Sequence, residues 1–348
     1  MNIVALAGGV GGAKLAQGLM LAPSPLQGVS RPPKMRTGEG ELPSPVTSFR
    51  DGGRVGGLTI IVNTGDDFEW HGLHVSPDLD TVTYTLGGLA NSQTGWGVAG
   101  DTFEALGALR RLGAEAWFNI GDRDLATHVY RTSLLRQGKT LTEATQAITQ
   151  ALGIQATLLP MTDDRFRTMV ETDQGTLEFQ DYFVQQRWQP VIRHIHFDGV
   201  ETARATPQVI TALQQADAII IAPSNPFVSV DPILKVTPTP TLPSHDGGGC
   251  KGGGRPIAAV SPIVGGQALK GPAAKMFAEL GWEPSAYAVA QHYHGLVTHF
   301  VLDRIDADQE GWIQALGMQT LVTDTIMQSV EDRKRLAAEV VEFVKRDA

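Results

Sequence analysis

A single cysteine, Cys250, stands in the 348-residue sequence. One thiol excludes an intramolecular disulfide and a cysteine-rich zinc site, and it suits a reducing compartment. Long apolar runs are missing as well: none reaches the roughly 18 residues of a membrane span. The opening residues MNIVALAGGV carry no basic flank and reach glycine at Gly8, unlike a secretory signal. The chain also lacks an excess of cations. Lys and Arg number 28 against 37 Asp and Glu, a formal charge of −9, so neither nucleic acid nor an anionic membrane surface is expected as a partner. From these absences a cytoplasmic protein is expected, and any phosphate it binds must be met by local donors or by a metal. What is present, 42% hydrophobic and 19% charged residues, is the make-up of a folded globular protein.

Glycine and proline are plentiful, at 39 and 20, and they crowd into two stretches. Residues 23–57 and 237–254 have no period of 2 or 3.6 and few large apolar side chains. Such composition cannot bury enough apolar area to offset chain entropy, so both are expected to be low-complexity disordered insertions; ordered substrate lids are the alternative. The other 295 residues suffice for one large α/β unit or two small ones.

In those residues, short apolar runs alternate with helical patterns. Asn2 to Ala7, Leu58 to Val62, Ala116 to Ile120, Ala218 to Ala222 and Ile257 to Val260 each lead into a polar or glycine-bearing loop. Continuous apolar strands of this kind suit a parallel sheet covered on both faces, whose ligands bind beyond the C-terminal strand ends. Five loops are thus expected at one edge. The middle differs: a helix over Leu141 to Leu152 precedes Thr168 to Thr172, Thr176 to Val184 and Val191 to Phe197, which read as antiparallel strands.

The loops carry the chemistry. Gly8-Gly9-Val10-Gly11-Gly12-Ala13-Lys14 joins a strand to a helix, where exposed N–H groups favour a phosphate. It matches neither the dinucleotide GxGxxG nor the P-loop pattern, and tight strand–helix packing is the plainer use of its glycines. Lys14 fits a phosphate partner or a solvated helix position. Asn63-Thr64-Gly65-Asp66-Asp67 is followed by Asp78 and Asp80, four carboxylates within 15 residues. Beside a diphosphate they call for a cation, and hard oxygen ligands suit Mg²⁺; turn and helix-cap chemistry is the alternative. Asp80 fits a metal ligand or a base for a hydroxyl. Arg123, between Asp122 and Asp124, can pair with a neighbour or a ligand. Pro223-Ser224-Asn225-Pro226 is either a nucleotide-reading loop or a rigid turn, and Lys270-Gly271-Pro272-Ala273-Ala274-Lys275 is a second possible anion site. His194, His196, His292, His294 and His299 lack metal-site spacing and read as strand or surface histidines.

Taken in order, LAGGVGGAKL, VNTGDD, HGLHVSPDLDTVTYTLGG, GWGVAGDTFEAL, WFNIGDRDLATHVYRT, LLPMTDD, FQDYFV, APSNPFVSVDPIL, AVSPIVGG and ALKGPAAK resemble the 2-phospho-L-lactate transferase family of deazaflavin coenzyme F(420) biosynthesis. The likeness spans nearly all of the 295 residues; the two insertions depart from the family's short connections but interrupt no motif. The resemblance implies an enzyme that moves a 2-phospholactyl or phosphoenolpyruvyl-type group. The donor is a guanosine diphosphate ester, the acceptor is the ribityl hydroxyl of 7,8-didemethyl-8-hydroxy-5-deazariboflavin, and GMP leaves. It implies the guanosine diphosphate at Gly8, Gly9, Gly11, Gly12, Lys14, Ser224, Asn225 and Pro226, with Mg²⁺ at Asp66, Asp67 and Asp78. Asp80, Trp96 and Arg123 then face the deazaflavin, with Asp80 and Arg123 as the catalytic pair and Asp80 orienting or deprotonating the hydroxyl. A homodimer is the family's usual state. The fold expected is α/β, a Rossmann-like mostly parallel sheet flanked by helices. Residues 1–140 and 205–348 form its nucleotide- and deazaflavin-binding core, and residues 141–204 a smaller α+β insertion. Two other readings stand beside it: a non-catalytic nucleotide-sugar-binding regulator of a distantly similar family, and a dinucleotide oxidoreductase, which the absent GxGxxG disfavours. Lactyl, enolpyruvyl and glyceryl donors differ in too few atoms for the sequence to choose among them.

Overall fold

The computed structural model describes residues 1–22, 57–237 and 254–346. Cys250 and, apart from their boundary residues Gly57, Thr237 and Gly254, both proline- and glycine-rich stretches lie outside the described residues.

Seven strands form one sheet: β1 (Ile3–Ala7), β2 (Leu58–Val62), β3 (Thr157–Pro160), β4 (Ala218–Ile221), β5 (Ile257–Val260), β6 (His299–Asp303) and β7 (Gln319–Thr323). Their spatial order is β7-β6-β5-β4-β1-β2-β3 and every pairing is parallel. The order reverses between β1 and β4, which makes the ends of these two strands the switch point where open α/β sheets bind ligands. The expected Rossmann-like α/β sheet is therefore present. Alternation along each strand divides the core: Val4, Leu6, Ile61, Ile219 and Ile221 pack on one face, and Ala5, Ala7, Ile60, Val62 and Ile220 on the other. Helices α1 (Gly9–Leu21), α2 (Pro77–Leu86) and the C-terminal helix Val330–Lys345 cover the second face.

Gly18 shows how closely α1 meets the C-terminal helix, since a methyl there would stand 2.1 Å from Arg333 O. No helix of the described residues is long and apolar enough to cross a membrane.

Three expectations change. Ala116 to Ile120 is not a strand; Trp117 and Phe118 instead pack on Phe68 of the hairpin Phe68–Trp70/Leu73–Val75, with ring centroids 5.8 and 4.9 Å apart. Aromatic burial against the hairpin replaces pairing there, and β3 takes the sheet edge beyond β2. Strand β3, TLLP, lies inside residues 141–204, expected as a separate insertion, yet pairs with β2 in the main sheet; its brevity and its proline, which an edge strand tolerates, hid it. Third, the strand expected over Thr176 to Val184 stops at Glu178, and Asp181–Gln185 forms one π-helical turn. Phe179, Tyr182 and Phe183 have helical spacing, and Phe179 and Phe183 stack 5.5 Å apart. The other two antiparallel strands, Arg167–Thr172 and Ile192–Asp198, form a three-stranded sheet with Gly175–Glu178.

Candidate functional site

Beyond the C-terminal ends of β1, β2, β4 and β5 lies a cavity of about 630 Å³. The loops after these strands line it through Gly8 to Gly11, Asp66, Pro223 to Asn225, and Ser261 and Pro262; Phe118 and Asn119 join them without a strand behind them. Phe183 of the π-turn and Phe179 just before it form part of its apolar wall, and Trp96 stands at its edge, 43% exposed.

The glycine loop is shaped by close approach. A methyl on Gly11 would stand 2.2 Å from Pro223 O, one on Gly12 2.6 Å from Ser224 Oγ, and one on Gly8 2.6 Å from both Asp78 Oδ2 and Ser229 Cβ. Across the switch point, Ser224 Oγ accepts from Gly8 N at 3.0 Å and donates to Gly8 O at 2.8 Å. Gly9 N donates to Asp78 Oδ1 at 2.7 Å, so a carboxylate of the protein already sits at the start of α1, where the helix dipole favours it. Val10 and Gly11, next in this turn, line the cavity, and first-turn N–H groups have no acceptor within their own helix. Gly12 only packs. Lys14 reaches the cavity and donates to Met327 O at 2.7 Å; burial and then the neighbouring Arg333 and Lys270 hold its pKa down. Lys14, Lys270 and Arg333 thus form a cationic corner in a net acidic chain. Asn225 lines the cavity and accepts from Phe227 N at 3.0 Å, whereas Pro226 begins a buried turn behind it.

Two sets of carboxylates share the cavity with these cations. Asp66 and Asp78 are buried and line the cavity. Asp78 accepts from Gly9 N and, at 3.0 Å, from Asn63 Nδ2; Asp66 Oδ1 is buried without any hydrogen-bond partner. Burial pushes the Asp66 carboxyl well above the usual range, reinforced by the charge of Asp78, and burial raises Asp78 to about 6. Neither forms an ion pair among the described residues. Two carboxylates sharing a site, one with an orphaned oxygen, fit a hard cation such as Mg²⁺. Asp67 lies one step behind, accepting from Ser76 Oγ at 2.6 Å and lying 3.0 Å from His74 Nε2; it does not line the cavity.

The second set spans two helices. Asp80 and Tyr84 come from α2, and Asp124, His128 and Arg131 from α3 (Asp122–Arg136). Arg131, fully buried, binds Asp80 through both terminal nitrogens, Nη1 to Oδ2 at 3.1 Å and Nη2 to Oδ1. Burial alone would lower its pKa, but Asp80 outweighs that and raises it. His128 lies between the acids, Nε2 3.2 Å from Asp124 Oδ1 and Nδ1 3.6 Å from Asp80 Oδ2. Tyr84 Oη donates to Asp124 Oδ1 at 2.6 Å, and burial, with Asp80 and Asp124 nearby, raises the phenol's pKa. Oxygen and nitrogen atoms of Asp80, Asp124 and His128 come within 4.8 Å of one another. Here, however, Arg131 already supplies the positive charge.

Of the residues singled out in the sequence, the cavity lining gathers Gly8, Gly9, Gly11, Lys14, Asp66, Asp78, Asp80, Trp96, Ser224 and Asn225; Gly12, Asp67, Pro226 and Arg123 lie outside it. Arg123 is exposed and donates to Ala99 O at 3.4 Å. Sequence reasoning missed Asp124, His128, Arg131 and Tyr84 as a unit. The signal was there: Asp124, His128 and Arg131 follow an i, i+4, i+7 pattern, and Asp80 and Tyr84 an i, i+4 one.

Residues 3–347 match the protein family described as 2-phospho-L-lactate transferase CofD. The chain is 36% identical over 285 residues to a 2-phospho-L-lactate transferase of Methanosarcina mazei, covering 82% of this chain and 91% of the relative. It is 38% identical to one of Methanopyrus kandleri, covering 83% and 90%. It is also 35% identical to a phosphoenolpyruvate transferase of Streptomyces griseus, over 99% of both chains. Among solved structures, a protein of Bacillus halodurans superposes with a TM-score of 0.58 at 15% identity over 99% of this chain and 98% of that one. This last likeness concerns the fold alone.

Proposed function

Because the chain belongs to the 2-phospho-L-lactate transferase CofD family, we propose that it joins a phospho-acid to a deazaflavin in coenzyme F(420) biosynthesis. The donor is a guanosine diphosphate ester of lactate or enolpyruvate, and the acceptor is the ribityl hydroxyl of 7,8-didemethyl-8-hydroxy-5-deazariboflavin. The hydroxyl oxygen attacks the phosphorus that carries the acid, the P–O bond to GMP breaks, and GMP leaves with the electron pair. Such a displacement calls for in-line positioning and charge neutralisation more than for a protein nucleophile.

The observation that carries this reading is the convergence, on one cavity at the β1/β4 switch point, of a glycine loop, a cationic corner and a carboxylate pair without a counter-cation. Val10 and Gly11 of the loop and Lys14 and Lys270 receive the diphosphate, and Ser224 holds the loop in register. Asp66 and Asp78 are the ligands for Mg²⁺, which when bound neutralises diphosphate charge. Trp96, Phe179 and Phe183 offer flat apolar area to a tricyclic ring. Asp80, held by Arg131, orients the acceptor.

The test is direct. Purified protein with Mg²⁺, the deazaflavin and either donor should yield GMP and a phospho-acid adduct of the deazaflavin in equal amounts, read by mass spectrometry. Equimolar lactyl and enolpyruvyl donors in one vessel report the preferred acid. No adduct from any of the lactyl, enolpyruvyl or glyceryl donors would overturn the reading.

A further inference from the structure

A hydroxyl that attacks phosphorus must surrender its proton, and a carboxylate receives it most readily through an oxygen that accepts no other hydrogen bond from the protein and lies at the cavity surface. Four carboxylates line the cavity. Asp80 gives both oxygens to Arg131. Asp78 gives one to Gly9 N and the other to Asn63 Nδ2, and Asp66 shares the site assigned to the cation. Asp124 differs. Its Oδ1 accepts from Tyr84 and lies 3.2 Å from His128 Nε2, while its Oδ2 receives no hydrogen bond among the described residues.

The surroundings fix Asp124 in place. It stands in the first turn of α3, its own N–H donating to Asp101 Oδ2 at 3.1 Å. Arg131 Nη1 lies 3.3 Å from His128 Nδ1. Arginine can only donate, so Nδ1 is the acceptor, and in the neutral ring the proton sits on Nε2, which packs 3.2 Å from Asp124 Oδ1 without completing a hydrogen bond to it. Arg131 thus clamps Asp80 and orients the histidine that backs Asp124.

We infer that Asp124, through Oδ2, is the catalytic residue that takes the proton from the attacking hydroxyl, with His128 and Tyr84 as its positioning residues and Asp80 as the clamped neighbour. The inference rests on the proposed transfer. In the step, the hydroxyl oxygen bonds to phosphorus, its proton passes to Asp124, and the P–O bond to the leaving nucleoside monophosphate breaks with the electron pair going to that phosphate.

The experiment compares Asp124→Asn, Asp124→Ala, Asp80→Asn and Asp80→Ala with wild type in single-turnover transfer at saturating Mg²⁺, with deazaflavin affinity measured by fluorescence and folding by thermal unfolding. Asp124→Asn should lose about 10²- to 10⁴-fold in rate while holding deazaflavin within about threefold. Formate, which can enter the space vacated by the side chain, should restore part of the turnover of Asp124→Ala but none of that of Asp80→Ala. A rate of Asp124→Asn within about threefold of wild type overturns the inference, as does a parallel loss of rate and deazaflavin affinity, or formate rescue confined to Asp80→Ala. Should Asp124→Ala fail to fold, the isosteric Asp124→Asn decides by the ratio of rate loss to affinity loss. A wild-type protein that makes no adduct fails the transfer reading itself, a result seen before any variant is compared.

Discussion

Asp66 with Asp78 and Asp80 with Asp124 are two buried acid pairs facing one cavity, and the protein treats them in opposite ways. Around Asp80 and Asp124 it supplies its own compensation: the Arg131 guanidinium, the His128 ring and the Tyr84 hydroxyl. Around Asp66 and Asp78 the described residues supply neutral donors, Asn63 and the Gly9 N–H, and none of them bonds Asp66 Oδ1. An isolated buried carboxylate is costly, so it either takes up a proton or finds a cation. The Asp80–Asp124 pair has an arginine bound to one of its members, whereas the Asp66–Asp78 pair has no cationic partner among the described residues. That contrast separates a pair clamped by arginine from the pair proposed to hold Mg²⁺, although both look alike as Asp-rich sequence.

The largest expected effect breaks the contrast from the metal side. Exhaustive chelation should lower adduct formation by about 10³-fold or more, the scale of several kcal/mol of charge stabilisation, and added Mg²⁺ should restore it. Full turnover by metal-free protein would show that the Asp66–Asp78 pair needs no cation. Next comes the clamp. Arg131→Met leaves Asp80 buried and unpaired, so the urea unfolding free energy should fall by about 3 to 5 kcal/mol, with part of it regained in the double variant Asp80→Asn/Arg131→Met. A loss below about 1 kcal/mol would mean that the pair is not the keystone of the two helices.

A smaller effect is read from pH. Asp78 is raised to about 6 in the folded chain, above the roughly 3.9 of an unfolded aspartate, and Asp66 moves the same way. A raised folded-state pKa contributes stability that is present below the unfolded value and lost as pH climbs through the folded one. Metal-free protein should therefore melt at a lower temperature at about pH 7.5 than at about pH 5, and saturating Mg²⁺ should narrow the gap. A melting temperature that rises with pH without metal would contradict the assignment. The smallest effect concerns the arginine that shares α3 with Arg131. Arg123→Ala, at an exposed site, should change stability by no more than about 0.5 kcal/mol and leave the transfer rate within about threefold of wild type, whereas a much larger rate loss would return Arg123 to the site.

Arg123 and Arg131 also show where the sequence was legible. The glycine loop, VNTGDD and the four apolar strands β1, β2, β4 and β5 follow from apolar runs and the loops after them, and the structure brings those loops to one cavity. Arg123 stood out because it sits inside GDRD. Neighbouring helix positions point about 100° apart, so Asp124 faces Asp80 and Tyr84 while Arg123 faces solvent. Arg131, seven residues beyond Asp124, lies on the inward face but outside the motif. By sequence GDRD reads as a loop, so the helix Asp122–Arg136, and with it the phase that turns Arg131 toward α2, comes only from the structure. Ala116 to Ile120 misled for a related reason: an apolar run predicts burial but not whether a strand or an aromatic cluster provides it.

The double hydrogen bond between Ser224 and Gly8 joins residues 216 positions apart, and β1 lies between β2 and β4. This sets an order of events during synthesis. When the glycine loop leaves the ribosome, the serine that holds it has not been made, and at about 5 to 20 residues per second the wait is roughly 10 to 40 seconds. Through that interval one edge of β1 lacks β4, its backbone groups unpaired and its apolar faces only half covered. The ligand cavity is therefore among the last parts of the nascent chain to form, although its best-known loop begins at the eighth residue.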